Sequence, residues 1–203
     1  MERESFLKAL AEKFYPSLRA ESFRGSGTTL RRVQEPVIHV VNIQGSSSAA
    51  GFYVNLGAHL AFLPMEGGGP CVPTRLKEYE CAFRDRIDPP PGAPPGTWSY
   101  GRSVAEAEAI IDELIQEWGR QGQAFFKRYS QFPDGFADLV QVAVASPPHP
   151  RDGLKYARIA VRLGLREQAI SLASQALATV SDGATALRGT LKRFIEEQRA
   201  AQQ

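Results

Sequence analysis

Four polar side chains recur along one short stretch of the chain, VVNIQGSSSAAGFYVNLGAH, which covers residues 40–59. They are Asn42, Gln44, Tyr53 and Asn55. Amides and a phenol are hydrogen-bonding groups, so two interpretations are open. The row is either a surface that binds a partner or ligand, or the solvated side of a sheet.

Two arginines add charge to this set. Arg84 and Arg86, in ECAFRDRI, share one face of an extended chain because alternate residues of a strand point the same way. Arginine is favoured at interface anchors, so the pair can form a small cationic patch for an acidic partner. Nearby carboxylates favour a second interpretation, a solvated strand edge with local ion pairs of little energy. Trp98, in TWSY, completes the candidate binding residues.

No group of residues assembles a catalytic or metal site. His39, His59 and His149 lack HExxH spacing, and Cys71 and Cys81 lack the paired CxxC of a zinc site. His39 falls on an apolar face, which favours a core histidine bonded to a backbone group. A Cys81–His39 nucleophile–base pair would need a supporting third group, and none is evident. We therefore assign no catalytic residue, no metal and no cofactor, and the chain leans away from an enzyme.

Glycine and proline mark loops. GSGTT, GSSSAAG and EGGGP match neither of the phosphate-binding patterns GxxxxGK[ST] and GxGxxG, which favours ordinary turns. DPPPGAPPGT, residues 88–97, is expected to be extended and to stay out of any central strand.

The polar row is expected to lie on a β-hairpin. Placing Gln44 opposite Gly51 sorts both strands into one apolar face and one polar face, as a hairpin with one buried side requires. The expected pairs are Ile43 with Phe52, Val41 with Val54, Asn42 with Tyr53, and Val40 with Asn55.

Other patterns complete a sheet and its first helices. Helical spacing runs over residues 6–15 and is interrupted at Pro16. Strands are expected over residues 28–33, 78–87 and 97–100. SVAE, at Ser103–Glu106, is a capping box that begins a helix.

The remaining sequence is helical. A short helix is expected from Phe125 or Phe136 towards Ala145, followed by helices over 154–163, 165–180 and 187–195. The two helices on either side of Gly164 resemble a tetratricopeptide unit, but one such unit cannot build a solenoid. It would cover the rest of the molecule or present a groove to a partner. We expect two parts, 1–130 and 131–203.

Bulk properties exclude some classes of protein. The 203 residues carry 24 basic and 22 acidic side chains, a formal charge of +2, and no basic block that would suit nucleic acid. The apolar runs are too short to span a membrane. The charged amino terminus does not resemble a secretory signal, so a cytoplasmic protein with reduced thiols is expected. Homo-oligomerisation is left open.

Several of these signatures occur together in one family. FLKALAEKFYPSLRAESFRGSGTTLRR, the NIQ…FYVNLG hairpin, ECAFRDRI and TWSY follow in an order that resembles the bacterial domain of unknown function 4304. The resemblance covers the first 120–130 residues, and the proline-rich stretch and the helices beyond residue 150 lie outside its pattern. By analogy with other small bacterial α+β families, it implies an immunity-like or other binding role.

The sequence therefore predicts an α+β fold, with an antiparallel sheet of four or five strands packed by helices on one face and a helical C-terminal part. The leading hypothesis is a non-catalytic cytoplasmic protein that binds another protein. One alternative is a small-molecule-binding protein or enzyme that uses the same face, with a cavity lined by Asn42, Asn55, Arg84 and Trp98. Another is a polar face with a purely structural role.

Overall fold

A computed structural model describes residues 3–46, 51–93 and 96–201. By its contacts the chain divides into two compact units, Met1–Ser130 and Gln131–Gln203. Residues 47–50 of GSSSAAG and Pro94 and Pro95 of the proline-rich stretch lie outside the described residues, so the expectations for those positions stay predictions.

The N-terminal unit is built on an antiparallel sheet with the strand order β1-β2-β3-β4-β5, in which β6 also pairs with β4. The strands are β1 (Arg24–Ser26), β2 (Thr29–Gln34), β3 (Val37–Gly45), β4 (Gly51–Leu60), β5 (Phe83–Arg86) and β6 (Trp98–Ser99). The α+β prediction is confirmed. Strand β1 was expected to be a turn; it pairs with β2 because Gly25, at φ 143°, has no side chain to collide with the Thr29 carbonyl.

Helices cover one face of this sheet, as expected. They are α1 (Arg3–Lys13), α2 (Tyr15–Ala20), α3 (Val104–Glu117) and α4 (Gln123–Arg128), and a π-helical turn at Trp118–Gly122 joins the last two. Aromatic rings make the contact: Phe6 lies 4.9 Å from Phe52 on β4, and Phe126 lies 4.6 Å from the His39 ring on β3. The helix break falls at Pro16, which sits in the first turn of α2.

The predicted hairpin register is wrong by two residues. Gln44 pairs with Tyr53 and Asn42 with Asn55, because β3 and β4 continue towards the loop until Ser46 N donates to Gly51 O at 2.8 Å. Alternating polarity decides only which face a residue takes, and a shift of two residues leaves every face unchanged. The sorting into an apolar and a polar face is therefore correct although the pairs are not.

The strand predicted over residues 78–87 is wrong in its first half. Glu78–Glu80 forms a 3₁₀ turn, and β5 begins only at Phe83. A local hydrogen bond from the Lys77 amide to the Glu80 carboxylate, 2.8 Å long, caps this turn. The alternation of Tyr79 and Cys81 imitated a strand, but side-chain capping stabilises the turn instead.

The C-terminal unit is helical. It contains α5 (Asp134–Ala145), α6 (Pro150–Arg162), α7 (Arg166–Thr179) and α8 (Thr185–Ala200). Helix α6 ends before Gly164, whose φ of 76° suits the left-handed position after a helix. Small residues allow a close crossing with α7, since a Cβ at Gly153 would lie 2.9 Å from the Ala176 methyl. No described helix in either unit combines the length and apolarity needed to cross a membrane.

Candidate functional site

A row of hydrogen bonds crosses four strands on the face away from the helices. Thr29, Asn42, Asn55 and Arg86 lie directly opposite one another on β2, β3, β4 and β5. The Asn42 amide donates to Thr29 Oγ1 (2.9 Å), the Asn55 amide to Asn42 Oδ1 (3.3 Å), and Arg86 Nε to Asn55 Oδ1 (2.9 Å). Asn55 also donates to Gln44 Oε1 at 3.0 Å. We call Thr29, Asn42, Gln44 and Asn55 the amide ladder, and Arg86 is bonded to its edge.

Tyr53 completes the support of the Arg86 guanidinium. The Arg86 Cζ lies 4.5 Å from the centre of the Tyr53 ring, the geometry of a cation–π contact. Side-chain hydrogen bonds with Thr97 and Ser46 lower the pKa of the Tyr53 hydroxyl below its ordinary value. The ring is therefore anchored at its hydroxyl end, and the guanidinium is held between this ring and the amide ladder.

The two predicted arginines line an open groove of about 460 Å³, which we call the arginine groove. Its lining residues are Gln44, Asn55, Leu56, Glu78, Tyr79, Arg84, Asp85 and Arg86. Arg84 Nη1 lies 3.4 Å from the Tyr79 carbonyl. Among the described residues no carboxylate forms an ion pair with Arg84 or Arg86. Within this part of the chain, the local ion pairs that the second interpretation of these arginines requires are not formed.

Sequence reasoning missed part of this groove. Glu78 and Tyr79 were assigned to a strand, but their 3₁₀ turn carries them to the groove wall. Leu56 belongs to the helix-covered face and lies opposite Asp85 on β5, and both residues also line the groove. The signal for the turn was present at Lys77 and Glu80, a residue pair three apart that can cap a turn.

The polar face does not extend along the whole sheet. At its other end Ile38 and Val40 pack with Leu76 and Cys81, which belong to the segment between β4 and β5. His59 is also buried there: its Nδ1 accepts from the Ala82 amide at 3.0 Å, and its Nε2 lies 3.2 Å from the Leu63 carbonyl. The chain itself therefore covers this end, and only the end with the amide ladder faces the groove.

The structure does not bring Trp98 together with the other six predicted residues. Trp98 pairs with Phe52, so its side chain lies on the helix-covered face, and its Nε1 donates to the Ile87 carbonyl at 2.8 Å. It is 2% exposed and stacks on Phe52. The alternation of polar and aromatic residues in TWSY is a local signal for this placement, since Trp98 and Tyr100 are both buried and Ser99 is exposed.

The candidate nucleophile and base lie on opposite faces. His39 is buried against the helices, where Arg32 Nε donates to its Nδ1 (3.2 Å) and its Nε2 lies 3.1 Å from the Tyr129 carbonyl, so the core-histidine prediction is confirmed. Burial first, and then the Arg32 charge, lower its pKa to about 4, against a hydrogen bond to Tyr129 that raises it. Burial also raises the pKa of the Cys81 thiol, which keeps the sulfur protonated and poorly reactive. No three described His, Cys, Asp or Glu side chains converge as a metal site would require.

Comparison with known proteins identifies a family. The family model described as domain of unknown function (DUF4304) matches residues 14–128, which is more than half of the chain. The chain therefore belongs to this family, as its sequence signatures indicated. Comparisons with curated proteins and with solved structures give no match.

Proposed function

We propose that this chain is a non-catalytic protein of the bacterial cytoplasm that binds another protein, in an immunity-like or regulatory role, through the arginine groove. The observation that carries the proposal is the pair of exposed cations, Arg84 and Arg86, with no ion pair among the described residues. A partner with an acidic surface would supply the missing counter-charge. The free thiols of Cys71 and Cys81 support a reducing compartment.

The support beneath Arg86 favours recognition over a merely solvated charge. An arginine on a flexible surface loses rotamer freedom when it binds, at a cost of about 0.5–1.5 kcal/mol. Arg86 is already held by its hydrogen bond to Asn55 and by the Tyr53 ring, so less of that cost remains. The guanidinium still has further N–H groups to offer, which suits bidentate binding of a carboxylate.

A small anionic ligand is the second candidate. The arginine groove has a volume of about 460 Å³, within the range of about 300–1,000 Å³ that ligand sites occupy. Its two arginines, Arg84 and Arg86, are suitable donors for a carboxylate or phosphate group. An open shape and exposed walls such as Tyr79, 53% exposed, favour a protein surface over an enclosed ligand.

The structural interpretation applies to part of the same face. Asn42 and Asn55 direct their amide hydrogens to partners within the sheet, so these two side chains already satisfy one another. They support the site and offer little to a partner. We therefore assign binding to the arginines and positioning to the amide ladder.

Affinity capture from the native cell tests the proposal. The bait is the full chain, and the comparison is with the double variant Arg84→Glu and Arg86→Glu. We expect the wild-type chain to retain a stoichiometric protein partner and the double variant to lose it, because two attractions become two repulsions.

A matched control reverses two charges far along the sequence. Lys192→Glu and Arg193→Glu, both exposed on α8, change the net charge by the same amount and should retain the partner. Repeated capture without any stoichiometric protein would contradict the proposal, and so would equal retention by both double variants. Stabilisation of the wild-type chain by a small dicarboxylate such as succinate, lost in Arg84→Glu and Arg86→Glu, would instead favour the small-ligand candidate.

A further inference from the structure

Strand β5 lies at the edge of the sheet, and its alternate backbone groups point away from β4. The Ile87 amide donates to the Val54 carbonyl at 3.0 Å, which sets the phase of the antiparallel pairing. Backbone groups of Phe83 and Asp85 therefore point towards β4, whereas those of Arg84 and Arg86 point outward.

The outward-facing backbone groups of this segment differ in their hydrogen-bond partners. At Asp88, just beyond the strand, the amide donates to Gln121 Oε1 (3.0 Å) and the carbonyl accepts from Gln121 Nε2 (2.8 Å). A side-chain carboxamide thus occupies that position as the peptide group of a neighbouring strand would. The Arg86 amide donates to Asp85 Oδ1 at 2.9 Å. No described residue bonds to the backbone N–H or C=O of Arg84.

Two grooves lined by charged side chains lie beside the backbone of Arg84. A second groove of about 470 Å³ runs along the helix side of β5 and shares Arg84, Asp85 and Arg86 with the arginine groove, so both sides of the strand are accessible. Two further arginines line it, Arg120 and Arg128. The two grooves together are lined by four arginines and three carboxylates, and Arg120 alone of these four has an ion pair among the described residues, with Glu117.

We propose that the β5 edge is completed by an extended acidic segment of the partner protein, which adds a strand beside Arg84. This inference rests on the proposed function and names its mode of binding. A residue opposite Arg84 would exchange backbone N–H···O=C bonds with it, and its side chain would lie on the same face as the Arg84 and Arg86 side chains. An acidic residue at that position, and another two residues along, would meet both cations.

Synthetic peptides test the backbone pairing separately from charge. The probe is acetyl-(Thr-Glu)₄-amide, in which all glutamates share one face and one backbone edge, and acetyl-(Thr-Lys)₄-amide controls for charge. Two further peptides carry N-methyl groups, either on every glutamate or on every threonine. Methylated glutamates cannot donate to β5 while their carboxylates face the arginines; methylated threonines lose only donors that face solvent.

Binding to the full chain is measured by calorimetry. We expect the unmodified and N-methyl-threonine peptides to bind alike, the N-methyl-glutamate peptide to bind at least about tenfold more weakly, and the lysine peptide not to bind. Amide hydrogen exchange should slow at Arg84 on binding and stay unchanged at Asp85, whose amide already faces β4.

Several outcomes would overturn this inference. Equal affinity of the two methylated peptides, or an Arg84 amide that exchanges at the same rate in the complex, would exclude strand addition while leaving charge recognition by the arginine groove intact. Absence of acidic-peptide binding at millimolar concentration would also exclude it. The proposed function fails on a different result, retention of the captured partner by Arg84→Glu and Arg86→Glu.

Discussion

The buried imidazole of His39 should make the stability of the N-terminal unit depend on pH. Its Nδ1 accepts hydrogen bonds from the Arg32 guanidinium, so the proton of the neutral ring must be on Nε2, which donates to the Tyr129 carbonyl. A second proton on Nδ1 would break the contact with Arg32 and place two cations together. The pKa is accordingly lowered from 6.5 to about 4, first by burial.

The magnitude follows from this shift. In the unfolded chain the imidazole takes up its proton near pH 6.5, whereas the folded chain resists it until about pH 4. Stability is therefore fully present above pH 6.5 and is lost as the pH falls. A shift of about 2.5 units corresponds to about 3 kcal/mol of unfolding free energy lost between pH 7 and pH 4.

Urea unfolding of the wild-type chain and of His39→Gln, at pH 7 and pH 4, measures this loss. Glutamine cannot take up the proton, so the variant keeps every other titration and lacks only this one. We expect the wild-type chain to lose about 3 kcal/mol more than the variant over this interval. Identical pH profiles, or a His39 ring that titrates near pH 6.5 by NMR, would refute the assignment.

Three further predictions concern the amide-ladder face and its surroundings. Gly57→Ala should lower the unfolding free energy by about 1–3 kcal/mol, since its Cβ would lie 2.6 Å from the Cys81 sulfur. The control Gly189→Ala, in open space on α8, should raise the unfolding free energy by about 0.5–1 kcal/mol. Denaturant unfolding measures both, and equal changes in the two variants would contradict the close packing of Gly57 against Cys81. Asn55→Ala should cost about 1–3 kcal/mol in the same assay because it leaves three polar partners short of a bond, and a neutral result would show that the amide ladder is not formed. Iodoacetamide at pH 8 should label half-buried Cys71 before buried Cys81, whose labelling should appear only on unfolding; mass spectrometry showing the reverse order would place the thiols differently.

Much of the fold follows from short-range patterns in the sequence. The alternation of Asn42, Gln44, Tyr53 and Asn55 against apolar neighbours correctly predicts one polar and one buried face, because period two is a local property. Helix limits near Pro16 and Gly164 also follow from single residues whose backbone preferences are strong. These features depend on a few adjacent positions, which is why the sequence alone indicates them.

Other features depend on contacts that a local pattern does not contain. Residues 78–80 fit a strand as well as a turn by their polarity, and the spacing of Lys77 and Glu80 permits a capping bond without showing that it forms. TWSY alternates polar and aromatic residues, which puts Trp98 and Tyr100 on one face, but only the pairing of Trp98 with Phe52 shows that this face is the helix-covered one. Arg84 and Arg86 were expected to share one face of their strand, but the groove that they line also depends on the turn at Glu78 and Tyr79.

The amide ladder also determines which of two equivalent hairpins forms. With Asn42 opposite Tyr53 and Val40 opposite Asn55, every side chain would keep its face, and apolar burial could not distinguish that arrangement from the observed one. Only the observed pairing places Asn55 within reach of Asn42, Gln44 and Arg86 together. The row of polar groups thus selects one alignment among those that hydrophobicity permits, and positions the arginines of the neighbouring strand as a consequence.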